Sequence, residues 1–227
     1  MKRRYLLTRL LLAPLLSIPA ALPGFAARAA APAAKPAPLS PADQADIARI
    51  ESYLNSVHTL QASFLQVAST GEVARGRLFL QRPGKLRFEY DPPGKDLLIS
   101  DGVWLIHYDG VLQQANQLPL DMTPATLLVR QRVKLSGDVT VTKVERGANV
   151  LRVTVVKTGE PKAGAVVLVF SDNPLTLQQW IVVDALGVET RLSLIDPRPG
   201  GTLDARLFTL DKPVVGPGQG STPGASR

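Results

Sequence analysis

From residue 40 onward, the spacing of apolar side chains divides the chain into one helical opening and a long series of strands. Ser40-Pro41 reads as a helix start, with Ser as N-cap, Pro at the first helical position and Asp43 in the first turn. Ile47, Ile50, Leu54 and Val57 then recur at helical spacing, so one apolar stripe runs to about His58. From Leu60 the period falls to two. Apolar runs at 60–68, 76–82, 85–90, 96–100, 103–108 and 111–115 are separated by turn signals such as Asp101-Gly102 and Asp109-Gly110, the pattern of an antiparallel meander. Thr123-Pro124 signals a second helix, with Thr as N-cap and Ala125 to Gln131 following. Further strands are predicted at 138–145, 149–157, 164–171, 177–184, 187–195 and 203–211.

Several of these strands are apolar on both faces: Leu97-Leu98-Ile99, Val103 to Ile106, Ala165 to Phe170 and Ile181-Val182-Val183. A single sheet packed on two modest helices should instead alternate cleanly, with a polar outer face. Two arrangements absorb the surplus. The sheet can curl around an apolar cavity plugged by the helices, or its two-sided strands can meet a second sheet in a sandwich or small barrel. Periodicity alone favours the second.

The first 29 residues stand apart. A basic start (Lys2, Arg3, Arg4), a leucine-rich run from Leu10 to Leu16 and small residues around Ala26 to Ala30 make a secretory signal peptide. Pro14 and Pro19 interrupt the apolar run, which is too short to span ~30 Å of hydrocarbon as a helix. Residues 30–39, rich in Ala and Pro, read as an extended spacer, 40–213 as the folded domain, and the Pro/Gly/Ser-rich 214–227 as a disordered tail. Removal of the leader changes the charge picture. The whole chain carries +7, but five of its 26 basic residues and none of its 19 acidic ones precede the cut, so the mature chain carries +2. That small charge and the sparse aromatics argue against a nucleic-acid partner. With no cysteine, disulfides, thiolate metal sites and a lipidated N-terminal cysteine are excluded. An exported protein of the periplasm is expected.

Catalytic patterns are missing. His58 and His107 lie on different elements without metal-ligand spacing, so no metal site is expected. Lys157-Thr158-Gly159 and Ser171-Asp172-Asn173 mimic two marks of penicillin-recognising serine enzymes. No serine has a lysine three residues later, however, and the order of the two is reversed, so both read as turns. No enzyme activity, catalytic residue or cofactor is expected.

Six segments do point to a family: LQASFLQ (60–66), GRLFLQRPGKLRFEYDPP (76–93), LLISDGVWLIHYD (97–109), TPATLLVR (123–130), DALGVETRLSL (184–194) and LFTLDKP (207–213), in that order. Together they resemble the periplasmic outer-membrane lipoprotein carriers of the LolA type. The resemblance implies a mainly β fold, a curved antiparallel sheet forming an incomplete β-barrel. An apolar cavity would be closed by an N-terminal helix and a short lid helix, which reverses the preference drawn from periodicity. It implies a carrier that shields the acyl chains of lipoproteins and moves them from the inner to the outer membrane. Its partners would be acylated lipoproteins, an ATP-driven release complex at the inner membrane and an acceptor at the outer membrane, and it would act as a monomer. A relative of the same fold that binds another lipid, or senses lipoproteins to regulate an envelope response, is the alternative. By position, Arg82 matches the family arginine that holds the lid and takes part in cargo loading. Leu86, Phe88, Trp104, Ile106, Leu127 and Leu128 match cavity and lid positions, with Trp104 standing two residues before the usual tryptophan.

Overall fold

The computed structural model describes residues 38–210. The expected leader, most of the spacer and the expected tail lie outside the described residues. One helix, α1 (Pro41–Ser56), precedes eleven strands: β1 (Thr59–Ala68), β2 (Val73–Gln81), β3 (Lys85–Tyr90), β4 (Leu97–Asp101), β5 (Trp104–Asp109), β6 (Gln114–Pro119), β7 (Val139–Gly147), β8 (Val150–Lys157), β9 (Gly164–Asp172), β10 (Leu175–Asp184) and β11 (Glu189–Pro199). A four-residue helix, α2 (Thr126–Val129), sits between β6 and β7.

All strands belong to one antiparallel sheet in the order β6-β5-β4-β3-β2-β1-β11-β10-β9-β8-β7. The sheet therefore consists of two meanders joined where β1 pairs with β11. Its end strands, β6 and β7, do not pair with each other, so the barrel stays open. The chain that connects these two free edges is the segment 120–138, which carries α2. Irregularities between Gln61 and Ser63, Val141 and Lys143, and Leu177 and Gln179 break the register. Such bulges bend a strand and increase its twist.

One face of the sheet lines the main core. Leu60, Ala62 and Phe64 of β1, Leu78 and Leu80 of β2, Leu86 and Phe88 of β3, Leu151, Val153 and Val155 of β8, and Leu168 and Phe170 of β9 join one buried cluster. Ile50 and Leu54 of α1 and Leu127 to Val129 of α2 belong to it as well. The helices thus lie inside the curl, the first of the two arrangements open to the surplus of apolar strand surface.

Helix α1 begins as expected. Asp43 N–H donates to Ser40 Oγ at 3.2 Å, and Ser40 N–H donates to the Asp43 carboxylate at 2.9 Å, a reciprocal capping box behind Pro41. Buried Asp46 takes Arg49 at 2.9 Å and Arg146 of β7 at 2.6 Å, while Arg49 reaches Asp172 of β9 at 2.7 Å. These pairs tie the helix across β7 and β9.

Three expectations need correction. Thr123 does not cap a helix over 125–131. Its hydroxyl donates back to Leu120 O at 2.8 Å, closing a 3₁₀ turn over Leu120–Met122, and α2 follows with no side-chain cap. The sixth strand starts at Gln114 rather than residue 111. Asp109 Oδ1 accepts from Val111 N and Leu112 N, both at 2.8 Å, and holds those apolar residues in the turn. The predicted strand at 203–211 is a 3₁₀ turn, Ala205–Phe208, capped by Asp204. Both neighbours of β11 are already paired, so the following chain finds no strand edge. It lies instead on the outer face of β3–β5, where Arg87 donates to Leu207 O at 2.9 Å and Lys85 Nζ stands 5.9 Å from the Phe208 ring.

Gly76 fixes the packing at the junction of β1, β2 and β3. A Cβ there would stand 2.0 Å from Glu89 O and 2.8 Å from the Phe64 ring. The absent side chain leaves room for Phe64, whose ring meets Phe88 and Tyr90 edge-to-face at 5.3 and 5.2 Å. Substitution Gly76→Ala should cost roughly 1–3 kcal/mol and lower the melting temperature by several degrees, since the clash is with backbone. Thermal unfolding followed by circular dichroism measures this, and an unchanged midpoint would contradict the packing.

Candidate functional site

The turn Arg82-Pro83-Gly84 closes the β2–β3 hairpin, and strand alternation aims Arg82 inward. Arg82 N–H donates to His58 O at 2.8 Å, which extends the β1–β2 ladder one residue past Gln81. The side chain therefore keeps the face of Leu78 and Leu80. Its Nε donates to Leu128 O in α2 at 2.8 Å, and its Nη1 donates to Leu54 O in the last turn of α1. A last-turn carbonyl has no intrahelical donor and sits at the negative end of the helix dipole, so a cation is well placed there. Arg82 thus joins sheet, helix and lid segment through one side chain.

Burial draws the Arg82 guanidinium down to about 10, with the nearby Tyr53 phenol acting in the opposite sense. The group stays charged at neutral pH. Among the described residues no carboxylate pairs with it, so its partial desolvation is offset in part by carbonyl dipoles and the Tyr53 phenol, and the remainder opposes folding.

The same turn makes a second contact with α2. Gly84 N–H donates to Val129 O at 2.7 Å, and the buried Ser100 hydroxyl donates to Gly84 O at 2.8 Å. Gly84 adopts φ +77°, and a Cβ there would lie 2.6 Å from Gly102 Cα, so both the backbone angle and the space demand glycine. Beyond α2 the chain is fastened to α1. Asn55 Nδ2 donates to Val133 O at 2.9 Å, Val133 N–H donates to Asn55 Oδ1 at 2.8 Å, and Leu135 N–H donates to the Glu51 carboxylate at 2.7 Å.

Next to the other flank of α2 lies a pocket of about 330 Å³. Leu127 and Met122 from the lid segment face Val139, Val155, Val166 and Val182 from the ends of β7 to β10. Arg130, Asp138, Lys157 and Glu160 contribute polar groups to it. The rest of the concave face is filled: Leu127, Leu128, Val129, Val133 and Leu135 are all buried in the main cluster.

The residues singled out in the sequence divide into two groups. Arg82, Leu86, Phe88, Leu127 and Leu128 converge on the concave side, where Phe88 also meets Trp180 edge-to-face at 6.1 Å. Ile106 lies elsewhere, in a smaller cluster with Tyr108 and Ala115 that Leu97 and Leu210 join. Leu105, not Ile106, faces the main core. Trp104 shares the face of Ile106 by alternation and is 38% exposed. The fasteners Gly84, Ser100, Asn55 and Glu51 carried no sequence signal of this role, because their partners are backbone groups 16 to 84 residues away.

An open, helix-plugged antiparallel sheet with an apolar inner face and a polar latch defines a half-barrel of the kind that can admit apolar ligands. The family model described as outer membrane lipoprotein carrier protein LolA matches residues 55–211, and the chain belongs to that family. An outer-membrane lipoprotein carrier protein of Pseudomonas aeruginosa is 35% identical over 182 residues, spanning 75% of this chain and 86% of the relative. One from Azotobacter vinelandii is 31% identical over 188 residues, spanning 77% and 89%. Among solved structures, a LolA superfamily protein of Nitrosomonas europaea is similar at 13% identity over 73% of this chain and 98% of that one, with a TM-score of 0.42.

The clamp from Asn55 sets how firmly the lid segment is tethered. Asn55→Ala leaves both backbone groups of Val133 without their partner, and each lost bond is worth about 1 kcal/mol. Amide hydrogen exchange across 126–135 should quicken roughly tenfold or more, while β8 and β9 keep their protection. Equal protection in both proteins would show that the clamp does not hold the segment.

Proposed function

We propose that this chain is a periplasmic carrier that takes acylated lipoproteins from an ATP-driven release complex at the inner membrane, shields their acyl chains and hands them to an acceptor at the outer membrane. Residues 1–29 would act as the cleaved export leader. The observation that carries the reading is the pair of hydrogen bonds from Arg82 to the carbonyls of Leu54 and Leu128, which fasten α2 and the end of α1 over an apolar concave face.

The physics of such a carrier follows from these residues. Each acyl CH₂ sheltered from water is worth about 0.8 kcal/mol, so three chains demand a large apolar volume. The pocket of about 330 Å³ is at the lower end of the ~300–1,000 Å³ usual for drug-sized ligands and is too small for three chains. Loading therefore displaces Leu127, Leu128 and Val129 from the concave face and breaks the Arg82 bonds. Acyl chains take the place of lid side chains, one apolar contact replacing another. Release is the reverse: the lid returns, and the re-formed bonds to Arg82 favour the empty state.

Two measurements test this. Mature protein incubated with spheroplasts should bring triacylated lipoproteins into the soluble fraction, whereas free lipid alone in the mass spectrum would favour a carrier of another lipid. Arg82→Leu should keep its melting temperature within a few degrees, because the lost bonds are offset by removal of a partly desolvated cation. Its transfer of cargo to outer-membrane vesicles should be at least about tenfold slower, since bonds to a charged donor worth ~1.5–3 kcal/mol no longer favour the closed lid. Transfer at the wild-type rate would remove the latch while leaving the carrier standing.

A further inference from the structure

The Arg82 latch holds one side of α2, and the pocket opens on the other. On that side a separate polar contact spans the gap. Arg130, the residue that ends α2, donates from Nη1 and Nη2 to the two carboxylate oxygens of Asp138 at 3.0 and 2.9 Å. The arginine side chain is only 19% exposed, and both residues line the pocket. Asp138 is fixed to the sheet: its carbonyl accepts from Thr158 N–H at 2.9 Å, and the next residue, Val139, begins β7 and pairs with Lys157. The ion pair therefore ties the end of α2 to the sheet edge directly beside the apolar wall formed by Leu127, Val166 and Val182.

We propose that this pocket is the port through which a single hydrocarbon chain first enters, and that the Arg130–Asp138 pair is its gate. The inference rests on the carrier reading and assigns a route to it. The pocket's volume suits one chain rather than three, and its walls are aliphatic side chains from four strands and the lid. A chain wedged between Leu127 and Val182 must drive α2 away from β7, which stretches the bidentate pair. A two-pronged carboxylate contact resists that motion in a fixed direction. Once it breaks, both charged groups are taken up by water at the rim. The gate thus resists widening of the port without a large apolar barrier, and it acts at a different place from the Arg82 latch. Met122, 75% exposed, stands on the lid side of the mouth, and Leu186, 88% exposed, lies two residues beyond the wall residue Asp184.

Because the chain has no cysteine, Met122→Cys and Leu186→Cys accept spin labels at these two positions alone, and their separation reads the mouth. In Arg130→Met and in Asp138→Asn the population with the longer distance should rise about fivefold. The exchanged pair, Arg130→Asp with Asp138→Arg, should bring it back toward the starting value. A photoactivatable palmitate analogue should cross-link to Leu127, Val155, Val166 or Val182, and more of it in the two single variants. An unchanged distance distribution in both variants, failure of the exchanged pair to restore it, or cross-links confined to other residues would each overturn the proposal. The distance measurement needs no lipoprotein. A silent gate in a chain that still loads lipoprotein sinks the port alone, and a responsive gate in a chain that loads none sinks the carrier reading alone.

Discussion

An apolar sheet face that never closes on itself has to be covered, and most of this molecule follows from how that is done. The concave side of the eleven strands presents Leu, Val and Phe from nine of them. Closing the sheet into a barrel would remove both free edges, yet β6 and β7 stay apart. Helix α1 and the 120–138 segment do the covering instead. The first is tied by Asp46 and Arg49 to β7 and β9, the second by Arg82, Gly84 and Asn55 to a turn and to α1. One cover is held by charged pairs to the sheet, the other largely through backbone groups.

That difference has an energetic consequence. Apolar burial is non-directional and roughly proportional to area, so replacing lid leucines with hydrocarbon changes the total little. When two large terms nearly cancel, small directional terms decide the outcome. The bonds from Arg82 to Leu128 O and from Gly84 to Val129 O exist only with the lid in place. They are few, and the guanidinium that makes one of them is itself held at a desolvation cost. On the carrier mechanism proposed above, a cover fastened this way would stay shut in water and yield to a ligand that offers comparable apolar surface.

The strands and the helix start at Ser40-Pro41 were legible because each has a local signature, period two in the one case and an N-cap serine before a proline in the other. The surplus of two-sided strands left an open sheet and a sandwich both possible, and the openness was legible only through the family resemblance. Arg82 was legible through the resemblance, and the alternation seen in β2 places it beside Leu78 and Leu80. The misjudged stretches have a common cause. At Val111-Leu112, Thr123 and 203–210, a side-chain oxygen or the lack of a free strand edge overrode apolar spacing. The concave and outer faces could not be told apart either. Leu105 and Ile106 are both buried, and only the fold reveals that the residues around 203–210 cover the second one's side. Pairs such as Asn55 with Val133 depend on backbone groups brought together by tertiary structure, and a linear pattern holds no trace of them.

The choice of arginine at position 82 can be argued from the same geometry. The two acceptors, Leu54 O and Leu128 O, belong to separate elements, and neither is a carboxylate. A guanidinium spreads its charge over a plane and projects donors along several fixed directions, so Nε and Nη1 reach both carbonyls from one rotamer. A lysine ammonium is a compact, strongly hydrated charge that loses more on leaving water and does not present such a fork. Lysine would thus keep the charge yet weaken the bridge between α1 and α2. What position 82 requires is a planar donor able to hold helix and lid in a single grip, with charge serving mainly to strengthen each bond.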